Sequence, residues 1–157
     1  MATRRAGART VQSAQAVAQD AARAGSTRKA TSGARSVLWL DSPQEHDYPA
    51  AASYLSLLAG PKKTRALVTA LRDGPVAHYK AKDILRASGL PLLPPDNVHV
   101  AKDLAEIRAG NPLSPCLMIR GNARKWHQAQ IADGYHRVCA SYYVDENTDI
   151  PVKIVKL

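Results

Sequence analysis

Cysteine is scarce. Two thiols among 157 residues cannot build a disulfide framework, and without a secretory signal both read as reduced. Long apolar runs are missing as well. None approaches the roughly 20 residues that a spanning helix needs, so the expectation is a cytoplasmic chain with no membrane partner. Metal-ligand spacing is absent too. His46, His78, His99, His127 and His136 form no HExxH, and Cys116 and Cys139 form no CxxC pair, so no structural metal is expected. Ser32, Ser42 and Ser114 have no readable base partner, which leaves a serine-hydrolase triad without support. The two tryptophans and six tyrosines do not interleave with basic residues as in an RNA-binding sheet. Acidic residues are the minority, 13 against 22 basic ones. The resulting charge of +9 suggests an anionic partner, either nucleic acid or a phosphorylated ligand.

What is present permits one domain with a core: 45% of residues are hydrophobic and 22% charged. The positive excess is uneven. Residues 1–36 carry Arg4, Arg5, Arg9, Arg23, Arg28, Lys29 and Arg35 against Asp20 alone, while the rest of the chain holds 15 basic and 12 acidic residues. This segment also lacks aromatics, isoleucine and leucine, so it has almost nothing to bury. It reads as a disordered basic tail, or as a transient helix around Thr10 to Ala24. Three roles suit it: a solvated low-complexity extension, a loose contact with nucleic acid, or an organelle transit peptide.

Residues 37–157 read as a single α+β domain. Val37 to Leu40 is a short strand or an extended anchor. Asp47-Tyr48-Pro49 opens a helix, with Asp47 as its cap and an apolar face of Tyr54, Leu55, Leu57 and Leu58. Helical spacing predicts further helices over Lys62–Arg72, Lys80–Ser88 and Val100–Ala109. Pro115–Arg120 reads as a buried strand, Gly121–His127 as a polar turn, and Ala129–Ala132 as a hairpin-paired strand. A helix over Tyr135–Tyr143 and a last strand over Ile150–Val155 follow. The expected architecture is a helical front, 37–93, ahead of a core, 94–157, with helices covering one face of a small mixed sheet.

The segment richest in chemistry is Ile131-Ala132-Asp133-Gly134-Tyr135-His136-Arg137-Val138, a strand running into Asp-Gly and at once into a helix. The first amides of such a helix lack intrahelical partners and lie at the positive end of its dipole, which suits an anion. Gly134 has no Cβ to keep a phosphate off the backbone. Arg137 offers a bidentate grip and His136 a titratable donor, while Asp133 suits a cap, a metal ligand or a base. The plainer alternative is a common turn and cap followed by solvated surface.

Asp133-Gly134-Tyr135-His136-Arg137, followed by Ala140, resembles the signature of the ParB/sulfiredoxin superfamily. Its members carry Gly-Glu-Arg-Arg, Gly-Gly-Cys-His-Arg or Asp-Gly-His-His-Arg at this turn. The order of elements over residues 94–156 and the closing Ile150-Pro151-Val152 strand are similar, and bacterial ParB-like proteins share a comparable helical front. The resemblance implies that Gly134, His136 and Arg137 contact the phosphates of a nucleotide such as CTP or ATP, with or without magnesium. Tyr135 stands where sulfiredoxins have their catalytic cysteine, and a phenol cannot form the sulfur-linked intermediate, so that activity is not expected. Nor does a ParB-type helix-turn-helix follow.

His99 and Lys102, just ahead of the first superfamily strand, are further candidate contacts. Lys62, Lys63 and Arg65, with Lys80, Lys82 and Arg86, form either a basic rim or solvated helix faces. Three functions are therefore carried forward. One is a nucleotide- or phosphate-binding domain with Asp133, Gly134, Tyr135, His136, Arg137, His99 and Lys102 at its site. Another is a phosphotransferase or nucleotide hydrolase with Asp133 as base or metal ligand. The last is a non-specific DNA-binding or partition accessory protein that uses the basic tail.

Overall fold

The computed structural model describes residues 36–156. The expectations of a disordered basic tail or a transient helix around Thr10 to Ala24 fall outside the described residues. Five α-helices and four strands follow in order: α1 (Asp47–Ser56), α2 (Pro61–Asp73), β1 (Val76–Lys80), α3 (Ala81–Ser88), α4 (Val98–Ala109), β2 (Cys116–Arg120), β3 (Gln130–Asp133), α5 (Tyr135–Val144) and β4 (Asp149–Lys156). The fold is α+β with a mixed sheet in the order β1-β4-β2-β3. β4 runs parallel to β2, while β1 and β3 are antiparallel to their neighbours.

Local rules explain most element ends. α2 starts with Pro61 in its first turn, where the missing amide hydrogen costs nothing, and stops before Gly74-Pro75. α4 is capped by Asn97, whose side chain accepts from the amides of His99 and Val100 at 3.1 and 3.3 Å. Val37–Leu40 is an extended anchor. Trp39 bridges Leu113, and Leu40 and Leu113 supply amides to the carbonyls of Leu113 and Leu38, each at 2.8 Å.

Three expectations change. The segment Val76–Tyr79, between two predicted helices, and Lys80, expected to open the second of them, form edge strand β1, which pairs with β4 from Val76↔Lys153 to Lys80↔Asp149. The chain therefore has no separate helical front, because its first half contributes a strand to the sheet. Second, helices cover both faces of the sheet, not one. Along β2 the side chains alternate: Cys116 and Met118 join the cluster formed with Ile84, Val100 and Val138, whereas Leu117 and Ile119 join Leu55, Leu67 and Leu71. A central strand buried on both sides carries apolar residues at every position, and period-2 patterning disappears. Third, Asp47 does not cap α1. It sits inside the helix, buried, and its carboxylate accepts from the Gln44 amide at 2.8 Å and from the Ser114 hydroxyl.

Candidate functional site

β3 ends at Asp133 and α5 begins two residues later, with Gly134 between them at φ 102°. That conformation suits glycine, and space demands it too: a Cβ here would meet Cys116 Sγ at 2.5 Å. The tight turn leaves the first three amides of α5 without an acceptor among the described residues. The first helical bond is Val138 N–H to the Gly134 carbonyl, at 3.0 Å. Beside this turn lies a cleft of about 500 Å³.

The cleft gathers six of the seven residues expected from sequence. Asp133, Gly134, His136 and Arg137 line it from the α5 side, and His99 and Lys102 line it from α4. The His99 and His136 rings lie 4.6 Å apart between centroids, so two donors from different helices converge. Tyr135 is not among the lining residues; its hydroxyl donates to the Pro91 carbonyl. Cys116 and Cys139 are buried, as expected of core thiols. Burial pushes the Cys116 thiol up to about 12, well away from the thiolate a nucleophile requires.

Arg137 differs most from expectation. Its side chain is only 13% exposed, and both of its terminal nitrogens are engaged. Nη1 donates to the Ser114 carbonyl at 2.9 Å, while Nη2 donates to Asp47 Oδ1 at 3.3 Å and to the Asp133 carboxylate. A guanidinium held this way cannot also grip a phosphate in bidentate fashion, so Arg137 acts as a positioning residue that ties α5 to α1 and to the loop before β2. The same bonds occupy Asp133, which reduces its availability as a base or metal ligand.

Sequence reasoning missed Asp103, Glu106, His46, Asp47 and Ser114, which also line the cleft. A signal existed for two of them. His99, Lys102, Asp103 and Glu106 fall at i, i+3, i+4 and i+7, the polar stripe opposite Val100, Leu104 and Ile107. Asp47 and Ser114 gave none, because their partner Arg137 is remote in sequence.

Electrostatics within the cleft are mixed. Burial raises Asp103 above the ordinary carboxylate value, against the pull of Arg137, His136, Lys102 and His99. Burial also raises Asp133, helped by the neighbouring Asp47 and opposed by Arg137. Asp47 goes the other way: burial would raise it, but bonds from Ser114 and the Gln44 amide, with the charge of Arg137, hold it below the ordinary value. Burial lowers His136 below the ordinary imidazole value, and the facing His99 adds to this against the pull of Asp103.

Comparison of the chain with protein-family models, with curated proteins and with solved structures returned no match.

Proposed function

We propose that the cleft at the start of α5 binds a phosphorylated small molecule, and that its occupant is a nucleotide such as CTP or ATP carried with magnesium. One observation carries this reading: three helix amides without an acceptor stand beside a cleft into which His99, Lys102 and His136 converge. The resemblance of residues 133–137 to the ParB/sulfiredoxin turn supports the same choice. The carboxylates of Asp103 and Glu106 on α4 explain the magnesium. An anion alone would be repelled by them, whereas a metal–phosphate complex presents positive charge to that side of the cleft. Among the described residues no group of three or more His, Cys, Asp or Glu is arranged to hold a metal, so the ion enters with the ligand.

Calorimetry on the full chain with CTP, ATP, ADP and GTP, each with and without magnesium, tests the reading. Binding of at least one nucleotide is expected, tighter with magnesium. Replacing His99 and His136 together by alanine should weaken it about tenfold or more, since a charge-assisted hydrogen bond is worth about 1.5–3 kcal/mol. No heat with any nucleotide in either condition rejects the reading.

A second reading, phosphoryl transfer or hydrolysis, has one specific observation in its favour. Asp47 and Asp133 both accept from a single guanidinium at the wall of the cleft, so two carboxylates stand together beside the place where a phosphate would lie. Phosphate release that survives Asp133→Asn unchanged removes Asp133 from that role. DNA binding through the tail rests on residues 1–36 alone and draws nothing from the cleft.

A further inference from the structure

Some surface cations have an acid partner: Arg72 with Glu45, Lys80 with Asp149, Lys82 with Glu146, and Arg86 with Asp83. Four that have none among the described residues gather at one end of the sheet. A groove of about 640 Å³ is lined there by Lys63, Arg120, Lys125 and Lys156, with His127, three side-chain amides and no carboxylate. None of the four cations has an acid partner among the described residues; Arg120 donates only to the Tyr79 hydroxyl, at 3.4 Å.

Each placement is unfavourable without an outside anion. Arg120 and Lys156 are register partners on the parallel strands β2 and β4, so like charges stand side by side. Lys63, with Lys62 before it, occupies the first turn of α2, where the helix dipole is already positive and no acid is present to offset it. Lys125 and Arg124 project from the 3-10 turn Ala123–Lys125 between β2 and β3. Four separate elements thus bring positive charge to one groove.

The same turn displays an aromatic. Trp126 is 91% exposed, and its neighbours Lys125 and His127 both line the groove. Its backbone is in the left-handed region, at φ 55°. The turn is built rather than loose. Asn122 and His127 exchange amide–carbonyl bonds at 2.8 and 3.0 Å, and the Asn122 side chain accepts from Arg124 and Lys125 at 3.1 and 3.3 Å. Gly121 is required at its base, because a Cβ would meet the His127 carbonyl and the Ala129 amide at 2.7 Å each. An exposed indole on an ordered turn, beside a basic groove with no carboxylate among the described residues, matches the chemistry of unpaired nucleotides, with phosphates along the cations and a base face on the ring.

We propose that this groove, distinct from the α5 cleft, binds single-stranded nucleic acid, with Lys63, Arg120, Lys125 and Lys156 neutralising backbone phosphates and Trp126 stacking on a base. Duplex is disfavoured because its bases are already stacked and offer no free face to Trp126.

Fluorescence anisotropy of a labelled oligothymidylate of about ten nucleotides, titrated with the full chain, tests this. Affinity should fall with salt, with a log–log slope of roughly −0.7 per phosphate contacted. The triple variant Lys63→Ala, Arg120→Ala, Lys156→Ala should bind at least about tenfold more weakly and reduce that slope by about two. The charge-matched control Lys80→Ala, Lys82→Ala, Arg86→Ala should stay within about twofold, since those cations are paired elsewhere. Trp126→Ala should lose about fivefold or more, Trp126→Phe should retain most of the affinity, and a duplex of equal length should bind more weakly. The tail is unchanged in every variant, so its contribution cancels. Four results would each overturn the proposal: no binding by the full chain, equal losses in both triple variants, an unaffected Trp126→Ala, or duplex binding as tight as single strand.

Discussion

Burying a guanidinium among two carboxylates and a carbonyl fixes several parts of the chain at once. Arg137 on α5 bonds to Asp47 on α1, Asp133 at the end of β3 and Ser114 before β2. Removing it would leave Asp47, whose side chain is 4% exposed, without its counter-charge. Arg137→Met should therefore destabilise the fold by about 3–5 kcal/mol, read as a drop in the denaturant midpoint with a nearly unchanged slope. Asp103 presents the opposite case. Its folded-state pKa is raised by burial, so its ionised form is disfavoured at neutral pH, and the cost disappears as pH falls through the raised value and the group takes up a proton. Asp103→Asn should accordingly raise the melting temperature at pH 7, and the gap to the parent should narrow towards pH 4. A gap that stayed constant with pH would show that ionisation is not the cause.

At the scale of elements, the helices were legible because each announces itself locally. α4 has its apolar stripe, its Asn97 cap and Gly110 beyond its end, all within a dozen residues. That cap also sets the first turn of α4, which carries His99 towards His136. Asn97→Ala should cost about 1 kcal/mol by chemical denaturation, and it should weaken nucleotide binding if His99 must be held in place. Strand β1 was not legible. Four half-buried residues around an exposed histidine have no strong pattern of their own, and their partner β4 lies some seventy positions along the chain. Pairing across such a distance is decided by the sheet that receives the strand, which no local window contains.

At the scale of the whole molecule, the sheet is a shared wall between two apolar clusters, and β2 is where they meet. Leu117 is fully buried on the α1–α2 side, while its neighbours Cys116 and Met118 face the other three helices. Leu117→Ala should cost about 2–5 kcal/mol, since neither layer can shift to close the void without disturbing the strand that both rest on. Differential scanning calorimetry would measure this as one lowered, still cooperative transition. Charge is arranged on the same scale: a cleft of mixed charge at one end of the sheet, and a groove whose charged lining among the described residues is basic at another.

The amino-acid order alone settled the helices, the later strands, the buried thiols and the turn at Asp133-Gly134, because each follows from spacing, capping or backbone freedom within a few residues. It also placed His99, Lys102 and the 133–137 segment on one list, and the fold brought all of these but Tyr135 into one cleft. Only the tertiary structure decided which charges were already spent. Arg137 is neutralised by an aspartate ninety positions away, whereas Arg120 and Lys156 stand together with no acid partner among the described residues. Electrostatic energy depends on distance through space, and that distance does not exist until the chain has folded.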